Sequence, residues 1–218
     1  MTAPVPPSGA SDVDQRRSGR KRTAILEAAT TVFLRNGYLG TSMDEIAQLA
    51  AVSKQTVYKH FDDKQRLFFE IVSSTLNDAS GSVSREVLEL QDSGDLEADL
   101  QDLARRQLAL VMQPQIIQLR RLVIGEAGRF PELGRSFYER GPGHTIAALA
   151  TTFEQLAARG ILQLDDPILA AAHFNWLIMS IPLNQAMLLG HDEPPAASEL
   201  DRWADAGVRV FLAAYGKH

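Results

Sequence analysis

Residues 41–67, TSMDEIAQLAAVSKQTVYKHFDDKQRL, decide how the whole chain is read. Met43, Ile46, Ala47 and Ala50 recur at i, i+3, i+4 and i+7, which lays one apolar stripe along a short helix. Ser42 with Glu45 three residues on makes a capping box for its first turn, with Thr41 as the alternative cap. Ala51-Val52-Ser53 leaves room only for a tight turn, and Ser53 stands where the N-cap of the next helix belongs. That helix, 54–60, turns only Val57 inward and presents Lys54, Gln55, Thr56, Tyr58, Lys59 and His60 outward. One apolar anchor beneath a face of hydrogen-bonding side chains suits the major groove of DNA, where base edges and phosphates are read by such groups. The pattern is that of a helix-turn-helix.

Upstream, Ile25, Ala28, Ala29, Val32 and Phe33 repeat with helical spacing, and the stripe stops near Asn36-Gly37, a left-handed stop signal. Downstream, Asp62 or Asp63 opens a further helix through Leu67, Phe68, Ile71 and Val72. The expected result is a three-helix unit with a long helix leading out of it.

With these residues in place, the chain resembles the tetracycline-repressor (TetR) family of bacterial one-component regulators. The resemblance is carried by Ile25, Ala28-Ala29, Phe33, Gly37-Tyr38, Thr41, Ile46-Ala47, Ala50, Val52-Ser53, Thr56, Tyr58, His60-Phe61, Lys64 and Leu67, within residues 20–70. Beyond that stretch only the helical plan matches. The resemblance implies an all-α fold of about nine helices: a helix-turn-helix headpiece and a C-terminal helical domain for effector binding and dimerisation. We divide the chain into a tail (1–19), a DNA-binding domain (20–66) and an effector and dimer domain (67–218). Ala51 and Gln55 stand where glycine is frequent in the family. In a left-handed turn Ala51 costs on the order of 1 kcal/mol. Gln55 puts a side chain able to bond adenine where a bare backbone is common.

Matching the family motif, Thr41, Tyr58, His60 and Lys64 are expected at phosphates, helped by amides at the N-termini of the second and fourth helices. Gln55, Thr56 and Lys59 are expected at base edges, with Ser53 and Lys54 completing the face. Tyr58 can equally be a half-buried ring against the first helix, and His60 a cap on its own helix. Arg16, Arg17, Arg20, Lys21 and Arg22 read either as an arm tracking the backbone or minor groove, or as a solvated run.

The net charge of −5 conceals an asymmetry. Residues 1–70 carry +2 and residues 71–218 carry −7, while residues 16–60 alone hold eight Lys/Arg against three Asp/Glu. Positive charge gathers where phosphates would lie. The first fifteen residues, rich in Ala, Pro and Ser, lack apolar surface to bury and are expected to be disordered. The absence of cysteine excludes disulfides and thiolate metal sites. No apolar run reaches the roughly 18–20 residues of a membrane span, and no signal-peptide core is visible, so we expect a cytoplasmic protein without a membrane partner.

The remainder reads as helices: 95–112; 116–129 after Pro114; one from Pro131, interrupted at Gly141-Pro142-Gly143; one closed by Gly160; one opened by Asp166-Pro167 and kinked at Pro182; and a last one opened by Ser198 with Asp201. A polar gap is expected near Gly81. Phe174 and Ile178 on the penultimate helix, with Trp203, Gly207, Val210 and Phe211 on the last, are expected at a homodimer interface. A single recognition helix reads few base pairs, so an inverted-repeat operator calls for two copies, and the family dimerises through these helices. A cavity for a small, largely apolar effector is expected among Arg121, Phe130, Phe137, Tyr138, Phe153, His173, Trp176 and Met179, aromatic walls with a few polar handles. Each of those aromatics can also be ordinary core. His60, His144, His173, His191 and His218 lack metal-site spacing, so neither metal nor cofactor is expected. No G-x-S-x-G, Walker or H-E-x-x-H motif supports an enzyme. The reading is a ligand-released repressor; a protein-binding helical module, or an activator without ligand, is the alternative.

Overall fold

The computed structural model describes residues 9–190 and 195–217, with side chains described for 15–77, 85–190 and 195–217. Expectations for residues 1–8, His191 and His218 lie outside the described residues. The chain forms two compact units, Met1–Val72 and Ser73–His218.

The first unit contains α1 (Gly9–Gly40), α2 (Met43–Leu49), α3 (Lys54–His60) and the start of α4 (Lys64–Glu89). The α1 stripe is realised in full, with Ile25, Ala28, Ala29, Val32 and Phe33 all buried. Gly37 breaks the helix at φ 69°, ψ 178°, a region open essentially only to glycine. Tyr38, just beyond the break, folds back so that its ring lies 6.0 Å from Phe33 and 5.4 Å from Phe68 of α4. Phe33 and Phe68 are 5.0 Å apart, closing an aromatic knot. Ile46, Val57, Phe61 and Leu67 pack the rest of this core.

Each expected helix start in this unit is present. Ser42 accepts from the Glu45 amide, Ser53 from the Thr56 amide, and Asp63 from the Arg66 amide. The capping box is half used, because the Glu45 carboxylate accepts from the Asn36 side chain at 2.8 Å instead of returning to Ser42. The turn closes as a Schellman motif, with the Val52 amide donating to the Ala47 carbonyl at 3.0 Å and Ala51 left-handed at φ 52°.

One expectation fails at the N-terminus. Residues 9–19, read as part of an unstructured tail, are helical and continuous with the rest of α1. No proline lies between Pro7 and Pro114, so nothing bars propagation from a helix already nucleated, and each added residue gains a hydrogen bond.

The second unit holds the rest of α4, a 3₁₀ turn (Leu90–Asp92), α5 (Leu96–Val111), α6 (Pro114–Glu126), α7 (Pro131–Arg140), α8 (Pro142–Ala158), α9 (Pro167–Leu189) and α10 (Ala197–Tyr215). Asp95 and Asp166 cap α5 and α9 by accepting from the Ala98 amide and from the Ile168 and Leu169 amides. Two expected boundaries move. α4 runs unbroken through Gly81, since a lone glycine costs only about 1 kcal/mol in a long helix. α10 starts at Ala197 after Ala196, with no side-chain cap from Ser198. Pro182 stands inside α9 and the helix continues through it to Leu189.

The core of this unit is built by α5, α8, α9 and α10 around Phe153, Phe174 and Phe211, whose centroids lie 5.0–5.7 Å apart. At Gly207, α10 approaches α9 so closely that an added Cβ would meet Ile178 Cγ1 at 3.1 Å and the Ile178 nitrogen at 3.2 Å. Arg105 on α5 grips Asp205 on α10 through two bonds of 2.8 and 2.9 Å. Among the described residues no helix is long and apolar enough to cross a membrane.

The left-handed Ala51 yields a direct expectation. Ala51→Gly removes a Cβ from a backbone that disfavours one, and raises stability by about 1 kcal/mol in denaturant unfolding. An unchanged or lower midpoint would show that the turn carries no such strain.

Candidate nucleic-acid interface and ligand cavity

On α3 only Val57 is buried, at 0% exposure, while Ser53, Lys54, Gln55, Tyr58 and Lys59 are exposed and Thr56 and His60 half-buried. Gln55, Tyr58 and Lys59 are neither hydrogen-bonded nor ion-paired to other described residues, so their polar groups face solvent. Thr56 and Ser53 share a hydroxyl–hydroxyl bond of 2.8 Å beside the cap. Lys54 pairs with Asp44 at 2.7 Å, and this bond to the carboxylate raises its pKa. Both partners are well exposed, so water or another anion replaces the pair at little cost. Burial, followed by the charges of Lys59, Arg22 and Lys21, lowers the pKa of His60. Cations therefore converge on the C-terminal end of α3 from two elements.

Two expected phosphate ligands are turned inward. Thr41 is 3% exposed and its hydroxyl donates to the Gly37 carbonyl at 2.7 Å. The Lys64 ammonium donates to the carbonyls of Tyr38 at 2.8 Å and Thr41 at 2.9 Å, and lies 4.6 Å from the centre of the Tyr38 ring. Once α1 breaks at Gly37 these carbonyls lose helical partners, and Lys64 supplies the missing donors. One amide at each of the α2 and α4 N-termini, that of Glu45 and that of Arg66, is engaged by its cap, Ser42 or Asp63. The basic run changes character as well. Arg16, Arg17, Arg20, Lys21 and Arg22 ride on a helix, too wide for a minor groove of about 6 Å. Arg22 is further tied to Glu70 at 2.5 Å and lies over the Phe61 ring.

In the second unit a cavity of about 60 Å³ opens between α4, α5, α6, α7, α8 and α9. Its wall is apolar: Leu76, Leu110, Val111, Ile116, Phe137, Trp176, Met179 and Leu183. Gln107, Arg120, Thr145 and Asn175 supply its polar side chains. Gln107 Nε2 donates to Asn175 Oδ1 at 3.3 Å, leaving Gln107 Oε1 and Asn175 Nδ2 buried without partners. The Arg120 guanidinium lies 5.2 Å from the Phe137 ring centre, its Nε has no acceptor, and burial lowers its pKa.

Comparison with known proteins agrees with this division. Residues 25–71 match the family model for bacterial regulatory proteins of the tetR family, and residues 98–217 match the AefR-like transcriptional repressor C-terminal domain. The chain belongs to the TetR family. Its members are DNA-binding transcriptional regulators rather than enzymes. The crystal structure of a TetR-family transcriptional regulator from Mesorhizobium loti is 45% identical with a TM-score of 0.86, covering 92% of this chain and 99% of that one. The flavonoid-responsive regulator FrrA is 34% identical with a TM-score of 0.73, over 92% and 99% of the two chains. The transcriptional repressor KstR2 of Rhodococcus jostii is 35% identical over 88 residues, 36% of this chain and 43% of that protein. The curated relatives are thus matched over less than half their length.

For this TetR-family chain, the cavity gathers three of the eight expected effector residues, Phe137, Trp176 and Met179. Phe153 is fully buried core, Tyr138 is 53% exposed, and His173 is exposed with Nδ1 2.6 Å from the Tyr215 hydroxyl. Phe130 sits under Arg129, and Arg121 donates to the Ala186 carbonyl. None of these five lines the cavity. Sequence reasoning missed Gln107, Arg120, Thr145 and Asn175, though spacing flagged three of them. Gln107 falls in the buried stripe of Leu103, Ala104 and Leu108; Asn175 in that of Ala171, Phe174 and Ile178; and Arg120 one turn from Ile116 and Val123. A polar residue on an apolar stripe is the signal.

The six residues expected at an interface on α9 and α10 divide between intrachain packing and the surface. Phe174, Ile178 and Phe211 are 0% exposed and Gly207 is buried against α9, so these four join the two helices within one chain. Trp203 is half-buried and Val210 is 54% exposed.

The Lys64 tie makes a prediction that separates structure from contact. Lys64→Ala forfeits two charged hydrogen bonds and lowers thermal stability by about 2 kcal/mol. Amide exchange then speeds up at residues 36–41. Unchanged melting and exchange would return Lys64 to the list of available phosphate ligands.

Proposed function

We propose that the protein represses transcription as a homodimer on an inverted-repeat operator and is released by a small effector bound in the second unit. The observation carrying this reading is the α3 face, where solvent-facing Lys54, Gln55, Tyr58 and Lys59 surround a single buried anchor, Val57. Gln55, Thr56 and Lys59 read base edges; Ser53, Lys54, Tyr58 and His60 meet phosphates. Thr41 and Lys64 support the end of α1 from within. A DNA target keeps the protein in the cytoplasm.

Two copies are needed, because half-sites about 34–36 Å apart give the specificity one short helix lacks. The face left for a second copy keeps Trp203 and Val210 of the one first expected and exchanges its buried residues for their exposed neighbours. Leu177, Ile181 and Leu188 on α9 and Trp203, Ala206 and Val210 on α10 follow helical spacing, and Ile181, Leu188 and Val210 are 50%, 79% and 54% exposed. Repression is favoured by the likeness to KstR2, and ligand response by the likeness to FrrA. A drug-sized ligand fills about 300–1,000 Å³, so an occupant of the 60 Å³ cavity must push its walls apart. One of those walls is Leu76 on α4, the helix that begins at Lys64 and braces the end of α1. Release requires the effector to prefer the non-binding arrangement by several kcal/mol.

A mobility-shift assay with the DNA upstream of the gene tests the reading; failure to shift any inverted-repeat fragment refutes it. Gln55→Ala should relax sequence preference while keeping affinity for nonspecific DNA, and Lys54→Ala should lower the salt slope of binding by about 1. A Gln55→Ala protein with unaltered preference removes that residue from the readout. Ile181→Glu with Val210→Glu should give monomers in analytical ultracentrifugation and abolish operator binding. A double variant that still dimerises moves the interface elsewhere.

A further inference from the structure

We propose that the cavity takes a small apolar monocarboxylate, with Arg120 as its counter-ion and the Gln107–Asn175 pair as its second anchor. The cavity's role as effector site is the premise, and the ligand class follows from charge and hydrogen-bond accounting.

An arginine stays protonated even when buried. Among the described residues Arg120 has no carboxylate within ion-pair distance; its one recorded partner is the Phe137 ring. Burial alone acts on its pKa, with no opposing charge. Arg120 is half-buried, with its Nε enclosed and without an acceptor, and a partly desolvated cation without an anion favours one supplied from outside. Gln107 and Asn175 sharpen the demand. They are 4% and 2% exposed, bonded to each other, and left with one bare acceptor and one bare donor. Turning both amides over leaves the same one acceptor and one donor, so the count holds for either orientation.

These groups fit one negative charge. A carboxylate presents two oxygens in the plane a guanidinium fork can meet, and one of them can also accept from the amide donor. A dianionic phosphate or sulfate brings a second negative charge, and Arg120 alone in the lining is cationic. The rest of the wall, including Leu110, Val111, Phe137, Trp176 and Met179, offers only apolar surface to the ligand's remainder. A neutral hydrocarbon would leave Arg120, Gln107 and Asn175 as they are, and a cation would be repelled.

Calorimetric titration of the full chain, without DNA, with benzoate, phenylacetate and hexanoate against benzamide, benzyl alcohol and hexanol tests this. At least one acid should bind about tenfold or more tightly than its neutral counterpart. Arg120→Met should erase that preference while changing affinity for the neutral compounds by less than about threefold, and Arg120→Lys should restore part of it. Without ligand, Arg120→Met should melt at a higher temperature than the parent, because a half-buried charge without an anion has gone. Neutral compounds matching the acids, no acid binding below about 10 mM, or acid affinity surviving in Arg120→Met would each overturn the inference. So would a lower melting temperature for the ligand-free variant, which would make Arg120 a structural residue. Mobility shifts with the same acids read the premise separately: an acid that binds but leaves the DNA complex intact refutes effector release and spares the ligand class.

Discussion

The Lys64 ammonium holds the DNA-binding unit together at the point where its backbone is weakest. Gly37 ends the regular part of α1 with a conformation that strands the carbonyls of Tyr38 and Thr41, and Lys64 donates to both from the first turn of α4. The Tyr38 ring beneath it adds a cation–π contact and joins Phe33 and Phe68 in the aromatic knot. Three main-chain segments are thereby fixed without a long hydrophobic contact. This matters because α2 and α3 have seven residues each and could not persist alone. Their register comes from the caps Ser42 and Ser53, the left-handed Ala51, and the burial of Ile46 and Val57 on the platform that Lys64 stabilises.

The exposed side of α3 shows the complementary logic. Thr41 and Lys64 donate to main-chain carbonyls of their own unit, whereas the polar groups of Gln55, Tyr58 and Lys59 face solvent. Lys54 occupies an intermediate position, since its exposed bond to Asp44 is cheap to exchange.

In the second unit, polar groups inside apolar stripes separate a core from a binding site. Phe153, Phe174 and Phe211 fill their space with one another and leave nothing unsatisfied. Next to Phe174 on α9, Asn175 bonds Gln107 of α5, each amide keeping one buried polar atom without a partner, and the pair borders a cavity with Arg120 of α6. Unmet hydrogen-bonding capacity beside a void is the feature on which the proposed ligand site rests.

The sequence alone determined what local chemistry controls. Ser42, Ser53, Asp63, Asp95 and Asp166 start helices because their oxygens meet amides two or three residues away, and Gly37 and Ala51 mark turns whose dihedrals are set within a few bonds. The headpiece stripe and the outward face of α3 followed from 3.6-residue periodicity in the same way. Tertiary structure decided which of two neighbouring faces meets which partner. Phe174, Ile178, Gly207 and Phe211 form a stripe that serves an interface or a core equally well, and packing within the chain consumed it, leaving Ile181, Leu188 and Val210 outside. Arg120 and Arg121 differ by one residue, yet a rotation of about 100° sends one into the cavity and the other to the Ala186 carbonyl. Lys64 reaches its carbonyls across more than twenty residues of sequence, a contact that no local pattern encodes.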